Sequence, residues 1–201
     1  MTVTVETSTF YSQDSCATLD SSHQVVSGSG AGRLIYVLLH STSSDNSAYS
    51  SVSLTNVTLA YLTAQVSLRN GVYHRLEIYY ALDTAISATG TCLFTCAVSP
   101  NQHNCQAALL NMIGAKQQIP TNLGSSLSKT AALVSAPWTG IAGAISNSSL
   151  SIQQSDATGL LLPSSKNNMY GFAPAPTSAD TCQSHFCSSD GTNTIIVSAA
   201  Y

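Results

Sequence analysis

The stretch Val72–Leu82 reads Val-Tyr-His-Arg-Leu-Glu-Ile-Tyr-Tyr-Ala-Leu and decides the fold class of this 201-residue chain. Apolar Leu76, Ile78 and Tyr80 alternate with more polar neighbours, which is the period-two pattern of a strand that buries one face. The dipeptide Asn70-Gly71 stands directly before it and is typical of a tight hairpin turn. The stretch therefore predicts a two-faced β-strand that is entered through a hairpin.

Further strand patterns lie on both sides of this stretch. Residues 33–40 read Arg-Leu-Ile-Tyr-Val-Leu-Leu-His, an apolar run that favours a buried central strand. Residues 106–114 favour a strand, although a helix fits them as well. The remaining strand candidates are residues 1–10, 51–57, 59–66, 91–99, 131–136, 149–152, 159–162, 168–172 and 194–201. About nine to twelve short strands without a convincing helix predict an all-β protein, a single antiparallel β-sandwich of jelly-roll type with one domain over residues 1–201.

The composition excludes several classes of function. Charged residues are only 7% of the chain, with Lys and Arg numbering 6 and Asp and Glu 9. Six cations cannot neutralise a run of phosphates, so we expect no nucleic-acid partner. The charge-free run 131–145 turns polar at Ser146, short of the about 20 apolar residues of a membrane span. No secretory signal pattern follows Met1, so the signal was either removed or never present, and a virion or extracellular location is expected.

Six cysteines are the main covalent feature, and they are Cys16, Cys92, Cys96, Cys105, Cys182 and Cys187. An even count in a chain with so little charge predicts disulfides, at least two of them. Fifteen pairings exist for six cysteines, so the connectivity stays open. Cys182 with Cys187, and two among the three central cysteines, are plausible local pairs. Six reduced and partly buried thiols are the alternative.

Two clusters of cysteine and histidine are candidate zinc sites. One holds Cys92, Cys96, His103 and Cys105, and the other holds Cys182, His185 and Cys187. Residues four apart on a straight strand share a face but lie about 13 Å apart, too far for a disulfide or a shared metal. We therefore expect disulfides rather than zinc, and no metal or cofactor.

Catalytic constellations are scarce in the sequence. No two of the nine acids lie within five residues of each other, and Glu77, the only acid in a confident strand, is expected to pair with Arg75 or a charge on a neighbouring strand. Convergence of His40, His74 and Glu77 would create a hydrolytic or metal site, and we judge that arrangement the less favoured one. Asp45, Asp180 and Asp190 are interpreted as turn residues rather than calcium ligands. The chain is therefore expected not to be an enzyme and to have no catalytic residue.

Aromatic side chains offer a separate binding hypothesis. Exposed aromatic rings stack on sugars, and Tyr49, Tyr79 and Tyr170 are candidates for such a platform, together with the single Trp138. A tyrosine on a half-buried strand usually packs in the core instead. Surface glycans are therefore kept as a secondary expected partner.

The order of the segments resembles the concanavalin-like and laminin-G-like jelly-roll domains of bacterial extracellular proteins and phage structural proteins. Four segments carry the resemblance: Gly-Arg-Leu-Ile-Tyr-Val-Leu-Leu-His at 32–40, Ser-Val-Ser-Leu-Thr-Asn-Val-Thr-Leu at 51–59, His-Arg-Leu-Glu-Ile-Tyr-Tyr-Ala-Leu at 74–82 and Thr-Ile-Ile-Val-Ser-Ala-Ala-Tyr at 194–201. The resemblance implies display, adhesion or decoration of capsids and tails rather than catalysis.

These observations favour a structural protein of an extracellular particle, in its sharpest form a phage or virus decoration, capsid-associated or fibre protein. Its expected partners are copies of itself and other particle or capsid proteins, because a neutral surface reduces repulsion between packed copies. Residues 2–9 and 194–201 are candidate edge strands that pair with each other or with neighbouring copies. The alternative is a secreted glycan-binding or adhesive β-sandwich module, including a subunit of an extracellular filament.

Overall fold

The structure, a computed structural model, describes residues 4–13, 17–25, 31–69, 71–87, 89–100, 102–115, 117–119, 122–126, 140–145, 150–155, 161–163, 168–173, 184–188 and 195–200. The chain divides into two compact units, one of residues Thr4–Gln117 and one that contains Gln118–Tyr201. The described secondary structure of both units is β-strand, apart from a 3-10 turn at Asp83–Ala85. The all-β prediction is confirmed, and a single domain over residues 1–201 stays a prediction.

Eight strands form the unit of residues Thr4–Gln117. They are β1 Thr4–Gln13, β2 Thr18–Val25, β3 Leu34–Ser43, β4 Ser50–Leu54, β5 Ala60–Arg69, β6 Val72–Leu82, β7 Gly90–Ala97 and β8 Gln102–Ile113. One sheet has five strands in the order β1-β8-β3-β6-β5, and the other has three in the order β2-β7-β4. All the pairings are antiparallel.

The two sheets of this unit share one hydrophobic core. Ile35, Val37 and Leu39 alternate along β3, and they pack with Phe94 of β7 and Leu109 of β8 in the same buried cluster. Side chains two residues apart on a strand share a face, so these residues define the inner face of each sheet. The unit is therefore a β-sandwich in which β3 is the central strand of the larger sheet, between β8 and β6.

Strand β3 is buried along its whole length, as its unbroken apolar run predicts. It lies between β8 and β6, so its backbone groups pair on both sides. Leu34, Tyr36 and Leu38, on the face away from the inter-sheet core, are 0% exposed as well. A strand buried on both faces needs apolar residues at successive positions, which explains the absence of alternation.

The strand pairing decides one open interpretation and reveals one strand that the sequence did not predict. Residues 106–114, where a helix was the alternative, belong mainly to strand β8, which hydrogen-bonds to β1 and β3. Strand β2 was missed because its sequence Thr-Leu-Asp-Ser-Ser-His-Gln-Val is mostly polar. Only Leu19, His23 and Val25 of β2 are buried, and a buried histidine does not register as an apolar position.

The hairpin between β5 and β6 confirms the turn predicted at Asn70-Gly71. Arg69 opposes Val72 in the register, and Gly71 has φ +78°, a left-handed backbone that glycine adopts without strain. Asn70 itself lies outside the described residues. The turn sets the register of the hairpin as far as Thr63 opposite Ile78, and a register shift between Tyr61 and Thr63 then places Tyr61 opposite Tyr79.

The described strands of the unit containing Gln118–Tyr201 are β9 Asn122–Ser126, β10 Gly140–Ile145, β11 Leu150–Ser155, β12 Leu161–Pro163, β13 Asn168–Ala173, β14 Ser184–Ser188 and β15 Ile195–Ala200. Five form a sheet in the order β12-β13-β10-β15-β9, and β11 pairs with β14. The predicted strand at 131–136 lies outside the described residues.

The two terminal strands do not pair with each other in the described ladders. Strand β1 pairs with β8, while β15 lies between β10 and β9. That form of the edge-strand prediction is wrong for the described residues, because β15 already has a partner on each side. Within the described part of the chain, no helical segment has the length and apolarity needed to cross a bilayer.

Candidate functional site

The structure brings together two of the three residues of the hydrolytic or metal hypothesis. His40 on β3 and His74 on β6 lie on neighbouring strands, as expected, with His74 opposite Thr42 in the register. Their rings stack with centroids 6.2 Å apart and planes 10° apart. The two imidazoles therefore form one unit on one face of the five-stranded sheet.

Burial makes His40 a poor proton carrier near neutral pH. His40 is 2% exposed, and the loss of solvation on burial lowers the pKa of its imidazole to about 3. The positive charge that His74 would carry lowers the pKa further, whereas a side-chain hydrogen bond with Gln106 raises it. His40 is consequently neutral at physiological pH, and its pKa lies far from the range that suits a general acid–base catalyst there.

Glu77 lies on the opposite face of β6 from His74, so the three residues do not converge. Residues 74 and 77 differ by an odd number of positions, and successive side chains on a strand point to opposite faces. Glu77 opposes Leu39, whose side chain belongs to the core between the sheets. The sequence places all three residues near one another along the strands, and the pleat then separates them.

Three donors surround the Glu77 carboxylate, which is 1% exposed. Arg75 Nε donates to Oε1 over 2.6 Å, and the Tyr49 backbone N–H donates to the same oxygen over 3.3 Å. Tyr79 donates its hydroxyl to Oε2 over 2.9 Å. The predicted pairing of Glu77 with Arg75 is confirmed. Both carboxylate oxygens accept hydrogen bonds, which fix the side chain in its buried position.

Tyr79 and Tyr61 form the aromatic part of this site. Their rings meet edge to face, with centroids 5.5 Å apart and planes 76° apart. Burial raises the pKa of Tyr79 above its ordinary value, and the negative charge of Glu77 raises it further. The Tyr79 hydroxyl therefore stays protonated and continues to donate, while Tyr61 is 55% exposed and presents its ring to solvent.

The other aromatic candidates are placed differently. Tyr49 is 5% exposed, and its hydroxyl donates to the His40 carbonyl oxygen over 2.5 Å, so it is a core residue. Trp138 lies outside the described residues, as does the side chain of Tyr170 on β13. Sequence reasoning missed Tyr61, whose exposure depends on the position of β5 at the edge of the sheet.

The central cysteines are buried thiols in the core between the sheets. Cys92 and Cys96 lie on one face of β7, and Cys105 lies on β8. None of these three forms a disulfide in the structure. The ladder between β7 and β2 is regular from Gly90 to Ala97, so Cys92 and Cys96 are four residues apart on an extended strand and cannot bridge each other.

The remaining cysteines and the two zinc hypotheses are only partly visible. Cys16 and Cys182 lie outside the described residues, and the side chains of Cys187, His103 and His185 are not described either. Among the described residues, no group of three or more His, Cys, Asp or Glu side chains is arranged to hold a metal ion. The structure does not show the expected pair among the three central cysteines, and the three others leave room for one disulfide within the chain rather than the two expected. A disulfide among Cys16, Cys182 and Cys187 stays a prediction.

His23 on β2 is a further buried histidine that opposes Cys92 across the ladder. Its Nδ1 lies 3.0 Å from the Thr9 hydroxyl oxygen, and burial lowers its pKa to about 4. Burial raises the pKa of the Cys92 thiol, so the pair is a neutral imidazole beside a protonated thiol. That state does not suit a nucleophilic cysteine.

Asp45 caps the loop between β3 and β4. Its Oδ1 accepts from the Ser47 backbone N–H over 3.1 Å and from the Ser47 hydroxyl. Asn46 has φ 59°, and its Oδ1 lies 3.5 Å from Arg75 Nη1. Asp45 thus behaves as the turn residue it was interpreted to be, while Asp180 and Asp190 lie outside the described residues.

The comparisons with known proteins add no relative to this description. No family model, no curated protein and no solved structure matches the chain.

Proposed function

We propose that this chain is a non-enzymatic structural protein of an extracellular particle, built as a β-sandwich with jelly-roll connectivity. More specifically, it is a phage or virus decoration, capsid-associated or fibre protein. It acts by packing against copies of itself and against other particle or capsid proteins.

The observation that carries the proposal is the use of charged side chains inside the fold. Arg33 is 2% exposed and donates from Nε to Asp83 Oδ1 over 2.6 Å and from Nη2 to the Ile86 carbonyl over 2.6 Å. Glu77 is paired inside the sandwich with Arg75. In a chain with 7% charged residues, these two pairs direct part of that small charge to the interior, and a surface of low charge favours dense packing of copies.

The titration of His23 and His40 also supports a role without catalysis. The pKa values of His23 and His40 lie at about 4 and about 3, so neither group is poised near neutral pH. General acid–base catalysis needs a group whose pKa lies near the working pH. Both side chains are buried, as expected for histidines that pack in the core.

Imaging of native material tests the proposal. Particles from the producing cells would be separated on a density gradient, labelled with an antibody against this chain and imaged by electron microscopy. We expect the chain to co-sediment with particles and to label a repeating position on them. Recovery of the chain only as a soluble species, with turnover in a hydrolase screen that His40→Ala or His74→Ala abolishes, would refute the proposal.

A second candidate function, a secreted glycan-binding or adhesive module, is favoured by one observation. The exposed Tyr61 ring is held edge-on by Tyr79, whose hydroxyl is fixed by Glu77. A rigid aromatic face of this kind stacks on the apolar face of a sugar ring. Glycan-array binding that is lost in Tyr61→Ala and kept in Leu93→Ala, which truncates a similarly exposed residue, would favour this function.

A further inference from the structure

Strand β5 is an edge strand of the five-stranded sheet formed by the described residues. In the described ladders it pairs on one side only, with β6, over the ten residues Ala60–Arg69. Its sequence Ala-Tyr-Leu-Thr-Ala-Gln-Val-Ser-Leu-Arg contains no proline and no charge before Arg69. An edge of this length and neutrality is a template for pairing with another strand.

The other edges of the same unit carry the features that discourage such pairing. Strand β1 has the exposed Glu6 and a register shift between Val5 and Thr7. Strand β2 has the exposed Asp20, and β4 is only five residues long with a register shift of its own. Charge, irregularity and short length each blunt an edge, so β5 is the least protected edge among them.

The exposed apolar side chains of β5 lie on one face because of a bulge. Tyr61 opposes Tyr79, and after the shift between Tyr61 and Thr63 the residue Leu68 opposes Tyr73. Tyr73 and Tyr79 are an even number of positions apart on β6, so Tyr61 and Leu68 share a face. They are 55% and 57% exposed and lie near the two ends of the strand.

This spacing makes β5 complementary to itself in an antiparallel arrangement. A two-fold axis at Gln65 would place Ala64 opposite Val66 and Thr63 opposite Ser67 of the second copy. The bulge then brings Tyr61 of each copy opposite Leu68 of the other, so the two exposed apolar residues cover each other twice. Arg69 faces Ala60, so no like charges meet across the pair.

We infer that β5 is the surface through which two copies of this chain associate, by antiparallel pairing about Gln65 that joins their five-stranded sheets into one. The inference rests on the proposed function in one respect only, namely that copies of this chain associate. It names the edge, the partner and the register.

The first test compares two lysine substitutions at similarly exposed leucines. Leu68→Lys removes both apolar contacts with Tyr61 and places a charge on the edge, whereas Leu93→Lys changes a residue of β7 that is 51% exposed. By analytical ultracentrifugation we expect Leu68→Lys to weaken the dimer by roughly tenfold or more and Leu93→Lys to leave it unchanged. Circular dichroism checks that both variants keep the fold.

The second test reads the register directly. In Gln65→Cys the two substituted positions face each other across the axis, so mild oxidation with glutathione disulfide should link the copies there. Ser22→Cys, at an exposed position of the β2 edge, serves as the control and should not link. Peptide mapping identifies a disulfide at position 65 and distinguishes it from any disulfide that the native cysteines form.

Three outcomes would overturn the inference: a monomeric native chain, a dimer unaffected by Leu68→Lys, or no linkage through position 65. Particle labelling that persists in Leu68→Lys would retain the proposed function while placing the contact between copies elsewhere. Failure of labelling with an intact β5 dimer would reject the particle role alone. The two proposals therefore fail separately.

Discussion

At the scale of single residues, the ion pair of the buried Arg33 with Asp83 connects segments that are distant in the chain. Asp83 accepts from the Arg33 Nε and from the Gly32 backbone N–H, while its own N–H donates to Gln117 Oε1 over 2.8 Å. The pair thus joins the start of β3, the end of β6 and the segment after β8. Its members are 50 residues apart in the chain, which no local pattern reveals.

Removal of one partner should therefore be costly. We expect Asp83→Ala to lower the free energy of unfolding by about 3–5 kcal/mol, because it leaves the Arg33 guanidinium buried without its counter-charge. Urea denaturation followed by circular dichroism measures the change. Asp20→Ala, at an exposed position of β2, is the control and should stay within about 0.5 kcal/mol of the native chain. A loss below about 1 kcal/mol for Asp83→Ala would contradict the assigned role.

The buried histidines predict destabilisation by acid. His40 has a folded-state pKa of about 3 against an ordinary value of 6.5, so the unfolded chain binds its proton first as the pH falls. Stability from this group is complete above pH 6.5 and is lost as the pH falls toward 3. His23 adds the same effect down to a pH of about 4.

The pH profile can be measured and assigned. Each such histidine contributes a slope of about 1.4 kcal/mol per pH unit inside its window. We expect His40→Gln to reduce the slope of unfolding free energy between pH 6 and pH 4 by about that amount. An unchanged slope would show that His40 accepts its proton in the folded state.

At the scale of elements, Gly32 and Gly71 both have a left-handed backbone but differ in how closely other segments approach them. Gly32 has φ +68°, and a Cβ added there would lie 2.9 Å from the Ala115 carbonyl oxygen. Gly71 in the β5–β6 hairpin has φ +78° but no atom within 4 Å of an added Cβ. Both substitutions strain the backbone, and only the first also forces the segment after β8 away from β3.

We therefore expect Gly32→Ala to cost more than Gly71→Ala. Gly71→Ala should lower stability by about 1–2 kcal/mol through the left-handed backbone alone. Gly32→Ala should exceed that value and shift the thermal midpoint further. Equal losses measured by thermal unfolding would mean that the Gly32–Ala115 approach relaxes without cost.

At the scale of the whole molecule, the sandwich core should protect its thiols. Cys92, Cys96 and Cys105 are at most 5% exposed, and burial also raises the pKa of Cys92. We expect all three to resist iodoacetamide in the native state and to react after unfolding in guanidinium without reductant. Mass spectrometry of the digest measures this reactivity and also counts any disulfides among the six cysteines. Rapid native labelling at these positions would place them outside the core.

What the sequence determined by itself rests on periodicity and composition. The alternation in β6, the continuous apolar run of β3 and the Asn70-Gly71 turn predict β-strands and a hairpin, since these signals are local. The pairing of Arg75 with Glu77 follows from their positions two apart on one face. The scarcity of charge is likewise a property of composition alone.

Only the tertiary structure decided which faces meet. It stacked His40 on His74 and turned Glu77 away, because the pleat sends odd and even positions to opposite sides. It buried one face of the mostly polar β2 and left β5, which has no charge before Arg69, at an edge, since the position of a strand in a sheet depends on pairings distant in sequence. Those pairings also joined Arg33 to Asp83, because burial of a charge requires a counter-charge wherever the fold can bring one.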